Sequence, residues 1–243
     1  MARRRFFVPE VRRGTAELTG PEAEHLVRVL RAEVGQLYEL SDNRDLYVAR
    51  IEVARKSVVS FSVLEKLASP TPAVTVSLAA ALFKFDRFEW LIEKATELGV
   101  SLILPFEGTR TDPGLMQASV KRRARWERIA LEASQQSRRV HLPQIEPSVP
   151  FAKALQLDAI VKLLLDEASH APPILERIPE QRSSDDRVAL LLGPEGGWTD
   201  DERLQAIAAG WLPCSLGGTI LRAETAGVAG LAVIQAAWPP AKQ

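Results

Sequence analysis

The sequence predicts an α/β protein, α+β when its whole length is counted, with a β-rich N-terminal domain over residues 1–70 and a parallel-sheet domain over residues 73–243. Three observations carry this expectation. Strand-like runs with partial period-two alternation crowd the first part of the chain. After Pro72, apolar runs alternate with helical patterns. Those later apolar runs are nearly continuous, as in strands covered on both faces.

Taken in order, Thr19 or Gly20 is placed to cap a short helix entered by Pro21, with Leu26, Val29 and Leu30 at helical spacing. Runs at 37–40, 46–53 and 57–64 read as strands around a turn at Asn43, Arg44 and Asp45, giving a small β-meander or barrel. Ser69, Pro70, Thr71 and Pro72 punctuate the chain as a linker. The run 74–82 is a buried strand. Asp86 followed by Glu89 has the spacing of a capping box, opening a helix with Phe88, Leu91, Ile92, Ala95 and Leu98 on one face and a stop at Gly99. A strand at 102–105, a long helix through Trp126, Ile129, Ala130 and Ala133, and short strands at 159–165, 188–192 and 211–216 follow. Thr199 and Glu202 form a second capping box. The last helix, 227–238, is almost wholly apolar and rich in Gly and Ala, as a closely packed helix would be.

Composition excludes several classes. With 243 residues, 46% hydrophobic and 26% charged, the chain matches an average globular protein and is unlike disordered, coiled-coil or collagen-like sequences. Positive and negative charges cancel at 31 each, so only their distribution informs. The stretch 117–141 holds Lys121, Arg122, Arg123, Arg125, Arg128, Arg138 and Arg139 against Glu127 and Glu132, which suits either a phosphate backbone or a solvated helix face. A lone cysteine, Cys214, allows no internal disulfide, and three histidines lack zinc spacing, so no metal is expected. The apolar stretch Phe6, Phe7, Val8 is too short for a signal-peptide core, and no charge-free apolar run reaches the roughly 18 residues of a membrane span. The expected compartment is the cytoplasm.

Neither G-x-G-x-x-G nor a P-loop is present. Two other glycine-bearing loops follow strands and precede helices: Leu192-Gly193-Pro194-Glu195-Gly196-Gly197, and residues 216–226, which carry Arg222 and Glu224. Each taken alone reads as an ordinary strand-to-helix turn, the second closed by an ion pair between Arg222 and Glu224. Two such loops at neighbouring strand ends favour a ligand cleft, because glycines let backbone groups approach a ligand and open α/β sheets bind at that edge.

With these residues in view the chain resembles the RsmE-type uridine-N3 methyltransferases of 16S ribosomal RNA, in the SPOUT superfamily. The resemblance rests on Arg4-Arg5-Phe6-Phe7-Val8, on His25-Leu26 with Arg28-Val29-Leu30-Arg31, and on Glu93 through Gly99. It continues through Arg125-Trp126 with Glu132, Ala133, Gln135 and Arg138, then through 192–197 and 220–226. Gly218-Thr219 departs from the Pro-Arg of many members. The resemblance implies a PUA-like β-barrel for RNA and a trefoil-knotted domain that binds S-adenosylmethionine, releases S-adenosylhomocysteine and forms a homodimer through the C-terminal domain. By the same carry-over, cofactor contacts fall on Leu165, Glu167, Leu192, Gly193, Pro194, Gly196, Gly197, Leu216, Gly217, Ile220, Leu221, Arg222, Thr225 and Ala226. For the reaction, Arg222 is the expected group to stabilise charge on the uracil, and Glu195 or Glu224 the candidate base or the group that orients Arg222. Arg4, Arg5, His25, Arg28, Arg31, Arg110, Arg122, Arg125 and Arg138 are the expected RNA contacts. Rival readings are a SPOUT enzyme acting on another RNA such as transfer RNA, a non-catalytic ribosome-assembly protein that binds RNA, and a nucleotide hydrolase; for the last, the sequence offers no Mg²⁺ site or phosphate clamp.

Overall fold

The computed structural model describes residues 3–69, 71–168 and 171–238, in two compact units. Pro70 of the expected linker lies outside the described residues. The first unit comprises the residues up to the linker together with Ser134–Leu142, and the second holds the remainder.

The first unit is built on a six-stranded sheet of β1 (Arg5–Phe7), β2 (Val11–Arg12), β3 (Thr15–Thr19), β4 (Leu37–Ser41), β5 (Leu46–Arg55) and β6 (Val58–Leu67), in the order β1-β4-β5-β6-β3-β2. Strand β3 alternates as its sequence demands, with Ala16 and Leu18 buried and Thr15, Glu17 and Thr19 exposed. Its inward residues join Phe6, Leu26, Leu40, Ile51, Val59 and Phe61 in one apolar core. The meander over β4, β5 and β6 matches the expected run of strands, while the order is open, with β1 and β2 at its ends and no closed barrel among the described residues.

The early helix departs from its expected form. Thr19 is the N-cap of α1 (Gly20–Glu24) without a side-chain cap bond, and residues His25–Val29 then widen into a π-turn. That turn moves Val29 out of register, leaving it 64% exposed while Leu26 is fully buried.

Arg5 is buried, bonded to Glu39 at 2.8 Å and to the carbonyl of Arg138. Arg138 reaches the other oxygen of Glu39 at 2.7 Å. Burial alone would raise the Glu39 pKa, but the bonds from Arg5 and Arg138 hold it below the ordinary carboxylate value. Arg5 therefore belongs to a largely buried ion cluster, which leaves little of it exposed.

The second unit is a seven-stranded sheet whose pairings are all parallel. Its strands are β7 (Thr75–Ala81), β8 (Leu102–Glu107), β9 (Gln144–Ile145), β10 (Val149–Pro150), β11 (Val161–Leu165), β12 (Arg187–Leu192) and β13 (Leu212–Cys214), ordered β10-β8-β7-β12-β11-β13 with β9 beside β8. Continuous apolar strands follow from cover on both faces. Val76, Leu78, Val188 and Leu190 enter one core with α2 (Phe85–Glu97), α3 (Leu115–Gln136) and α6 (Ala223–Ala237). Ala79, Ala81, Ala189 and Leu191 enter the other with α4 (Phe151–Ala154) and α5 (Asp200–Ala208).

Two helix starts differ from expectation. Lys84 caps α2, and Glu89 is drawn away from the capping role to Arg125 at 2.8 Å and Arg122 at 3.3 Å on α3. Helix α6 begins at Ala223, four residues before Gly227. Its glycines are used inside the unit: a Cβ at Gly227 would stand 2.9 Å from Leu91 and 3.0 Å from Leu192, and one at Gly230 would stand 3.0 Å from Leu190. The capping box at Thr199 and Glu202 forms as its spacing predicts. No helix among the described residues is long and apolar enough to cross a membrane.

Candidate active site

Strands β12, β11 and β13 are consecutive neighbours and end side by side at Leu192, Leu165 and Cys214. The three connections that leave these ends therefore emerge at one edge of the sheet and enclose a cavity of about 700 Å³. Its walls are residues 165–168, 192–198 and 214–223, with Ala226 from the first turn of α6.

Every expected cofactor contact except Thr225 lines this cavity, and Thr225 faces a neighbouring one. Asp166, Gly218, Thr219 and Ala223, inside the expected loops, line it as well, as do Ala168, Trp198, Cys214 and Ser215 just outside them. Reading the ends of the adjacent strands residue by residue would have found most of them.

Trp198 organises the floor. The indole is 2% exposed, stacks on Phe106 at 6.2 Å and donates from Nε1 to the carbonyl of Leu165 at 2.8 Å, fastening the β12 loop to the end of β11. Glycine is required at two places here. A Cβ on Gly193 would lie 2.7 Å from the Trp198 ring, and Gly197, at φ +72°, would bring one within 2.6 Å of Glu167 Oε1. Arg110 donates to the carbonyl of Gly196 at 2.8 Å, so an expected RNA contact is engaged with the glycine loop.

Electrostatics fix the remaining walls. Asp166 is bound by both sides of the Arg203 guanidinium at 3.0 and 3.1 Å, and Arg203 also reaches Glu167 at 3.2 Å. Glu202 accepts from the backbone of Thr109 at 2.8 Å and from Thr199. Burial pushes its pKa up, the bonds from Thr109 and Thr199 push it down, and the net is a carboxyl below its ordinary value. Cys214 is fully buried and its thiol is pushed up to about 12 by desolvation, which keeps it neutral.

At the mouth, the expected partners are exchanged. Arg222 caps α6, is exposed, and makes no ion pair or side-chain hydrogen bond among the described residues. Glu195 is instead paired with Arg87 of α2, which also stands 3.9 Å from Glu224. An Arg222–Glu224 pair closing an ordinary turn is not formed; the cation beside Glu224 is Arg87, which sequence reasoning missed because it lies far from Glu224 and Glu195 along the chain. Glu224 is nearly buried and its Oε2 has no hydrogen-bond partner among the described residues. A buried carboxylate oxygen left without a partner is costly and marks a group kept for something else.

The other expected RNA contacts divide between the units. Arg4, His25, Arg28 and Arg31 are exposed on the first, with Arg28 4.0 Å from Glu24. On the second, Arg122 and Arg125 share Glu89 yet keep exposed faces, and Arg122 lies 5.1 Å from the centre of the Phe85 ring.

A parallel α/β sheet with a glycine-lined cavity at its carboxyl edge defines a small-ligand enzyme, and the family model of the RNA methyltransferase domain matches residues 69–235. The chain belongs to the RNA methyltransferase family, and within it to the group represented by ribosomal RNA small subunit methyltransferase E. It is 35% identical to the Synechocystis protein of that name over 97% of this chain and 78% of that one. It is 32% identical to the Bacillus subtilis protein over 90% of this chain and 89% of that one. The crystal structure of the Neisseria gonorrhoeae enzyme of the same name, bound to S-adenosyl methionine, is 31% identical with a TM-score of 0.86, over 98% of each chain.

Proposed function

We propose that this protein transfers a methyl group from S-adenosylmethionine to N3 of a uridine in the 16S RNA of the small ribosomal subunit, releasing S-adenosylhomocysteine, as a cytoplasmic homodimer joined through its C-terminal domain. The observation that carries this reading is the cavity formed at three adjacent strand ends, in a chain similar to an enzyme solved with S-adenosyl methionine bound. The cavity fits that group. Gly193 and Gly197 leave backbone groups accessible where any Cβ would collide, and Leu165, Leu192, Leu216 and Leu221 supply apolar walls.

In this reading residues 1–70 are a PUA-like barrel that binds RNA, and two register shifts in β5, which add twist, support a closing sheet. Residues 73–243 are the SPOUT methyltransferase domain with its trefoil knot. Supporting the knot, α6 follows edge strand β13 yet packs against Leu192 and Leu190 of β12, so the chain recrosses β11; on the way Ser215 is hydrogen-bonded to Pro172 and Ile174 of the β11–β12 connection. Supporting the dimer, α6 turns the small residues Ala232 and Ala236 outward.

The cofactor brings a methyl group on a sulfonium, an electrophile with a neutral thioether as its leaving group. The chain must expose and activate N3. That atom sits on the Watson–Crick edge, so the target base has to be unpaired or turned out. The N3–H proton passes to the Glu224 carboxylate, the N3 electron pair forms the new bond to the methyl carbon, and the carbon–sulfur electrons leave with sulfur. Arg222, exposed at the cavity mouth and without a side-chain partner among the described residues, offsets the negative charge that builds on the uracil carbonyl oxygens. Glu224 takes the basic role because Glu195 is held by Arg87, while Glu224 Oε2 has no partner among the described residues.

Calorimetric titration with S-adenosylmethionine, followed by methyl transfer with Arg222→Ala, tests the reading. Binding and a loss of turnover of about 10²- to 10³-fold at unchanged melting temperature are expected. No heat of binding, or near-normal turnover in the variant, would contradict it.

A further inference from the structure

Beside the glycine-lined cavity lies a second one of about 550 Å³, bounded by Asp86, Arg87 and Trp90 of α2 and by residues 220–222, 224 and 225. The two cavities share Ile220, Leu221 and Arg222 as a common wall. We infer that this second cavity is the acceptor subsite, receiving the pyrimidine base of a single-stranded nucleotide with its face on Trp90 and its polar edge toward Glu224 and Arg222.

Exposure, chemistry and position together lead there. Trp90 is 42% exposed on a helix whose neighbouring residues Phe88, Leu91 and Ile92 are buried, so a large aromatic face is left uncovered. Ile220 in the same cavity is 86% exposed. A flat aromatic with an aliphatic rim suits the face of a base, which stacks without regard to sequence. Among the described residues, buried Glu224 Oε2 has no hydrogen-bond partner, and exposed Arg222 makes no ion pair or side-chain hydrogen bond. The edge of a uracil presents one N–H donor between two carbonyl acceptors, the complement of a carboxylate beside a guanidinium. Arg87, paired with Glu195 and 3.9 Å from Glu224, helps to hold that carboxylate in place on the wall of the same cavity. Finally, the shared wall sets the subsite directly against the cavity that would hold the methyl donor, as in-line transfer requires.

The inference rests on the proposed methyltransferase reading, and the experiment keeps the two separable. Small ribosomal subunits from cells lacking the protein serve as acceptor for wild type, Trp90→Ala and Trp90→Phe, with KM for subunits, cofactor affinity by calorimetry and sedimentation measured for each. Trp90→Ala is expected to raise KM for subunits roughly tenfold or more, with cofactor affinity and oligomeric state unchanged, and Trp90→Phe to restore most of it. An unchanged KM in Trp90→Ala would overturn the assignment. So would a loss accompanied by an altered oligomeric state, which gives Trp90 to a contact between copies. If the wild type transfers no methyl group, the methyltransferase reading fails by itself. Photocrosslinking of the full chain to a single-stranded RNA carrying one 5-iodouridine then decides the subsite: attachment at Trp90 supports it, and attachment only elsewhere removes it.

Discussion

Replacing Gly193 by Ala puts one methyl group into the most crowded point of the cavity. The new Cβ would stand 2.7, 3.0 and 3.1 Å from three atoms of the Trp198 indole. That ring cannot yield freely, since it is 2% exposed, stacked on Phe106 and 5.7 Å from Phe151. Overpacking of this kind costs about 1–3 kcal/mol. If the ring does move, its 2.8 Å bond to the Leu165 carbonyl breaks and a buried pair is left unsatisfied, at a similar cost of roughly 1–3 kcal/mol. For a chain of this size each kcal/mol lowers the melting temperature by about 2–4 °C, so a fall of roughly 2–12 °C is expected. Because the same bond fastens two walls of the cavity together, affinity for S-adenosylmethionine falls with it. Gly218→Ala is the control: nothing lies within 4 Å of its Cβ position, so melting should change little. Scanning calorimetry and isothermal titration supply both numbers. A Gly193→Ala protein that melts like wild type and binds the cofactor equally well would refute the role given to Trp198.

Three further outcomes follow from the charges and the thiol. The Glu202 carboxyl is held below its ordinary value, so its contribution to stability is present at neutral pH and lost as pH falls through the lowered folded-state pKa; the gap in melting temperature between wild type and Glu202→Gln should be wide at pH 7 and narrow in acid. A gap that is constant with pH would refute this. Arg5→Ala leaves the buried Glu39 carboxylate with Arg138 alone and should lower stability by about 3 kcal/mol in urea titrations while leaving the salt dependence of RNA binding untouched; a changed salt slope would return Arg5 to the RNA surface. Cys214, neutral and fully buried, should resist a thiol reagent at pH 8 in the folded protein and react at once in denaturant. Rapid labelling of the folded protein would show that the cavity edge opens.

What the sequence made legible was local or periodic. The Thr199 and Glu202 capping box needs only residues three apart, and it formed. The buried strands announced themselves because apolar residues on both faces leave no alternation to misread. The identical spacing at Asp86 and Glu89 failed because two arginines of another helix compete for Glu89, and that competition is settled by packing. Val29 was misplaced by a π-turn that breaks helical spacing without any glycine or proline to mark it. Within the site, the two glycine loops were visible as punctuation, whereas Arg87 was invisible: its tie to Glu195 spans 108 residues and exists only because α2, the β12 loop and α6 meet at one edge of the sheet. The same distance in sequence hid the exchange of Glu224 from Arg222 to Arg87.

The most direct test of the central claim is nucleoside analysis after methyl transfer from labelled S-adenosylmethionine to small ribosomal subunits, and to their naked RNA, taken from cells lacking this protein. Labelled 3-methyluridine in 16S RNA is the predicted product. Label appearing only in transfer RNA added to the reaction, or in a nucleoside other than 3-methyluridine, would contradict the proposed substrate, and no label at all despite cofactor binding would contradict the proposed reaction.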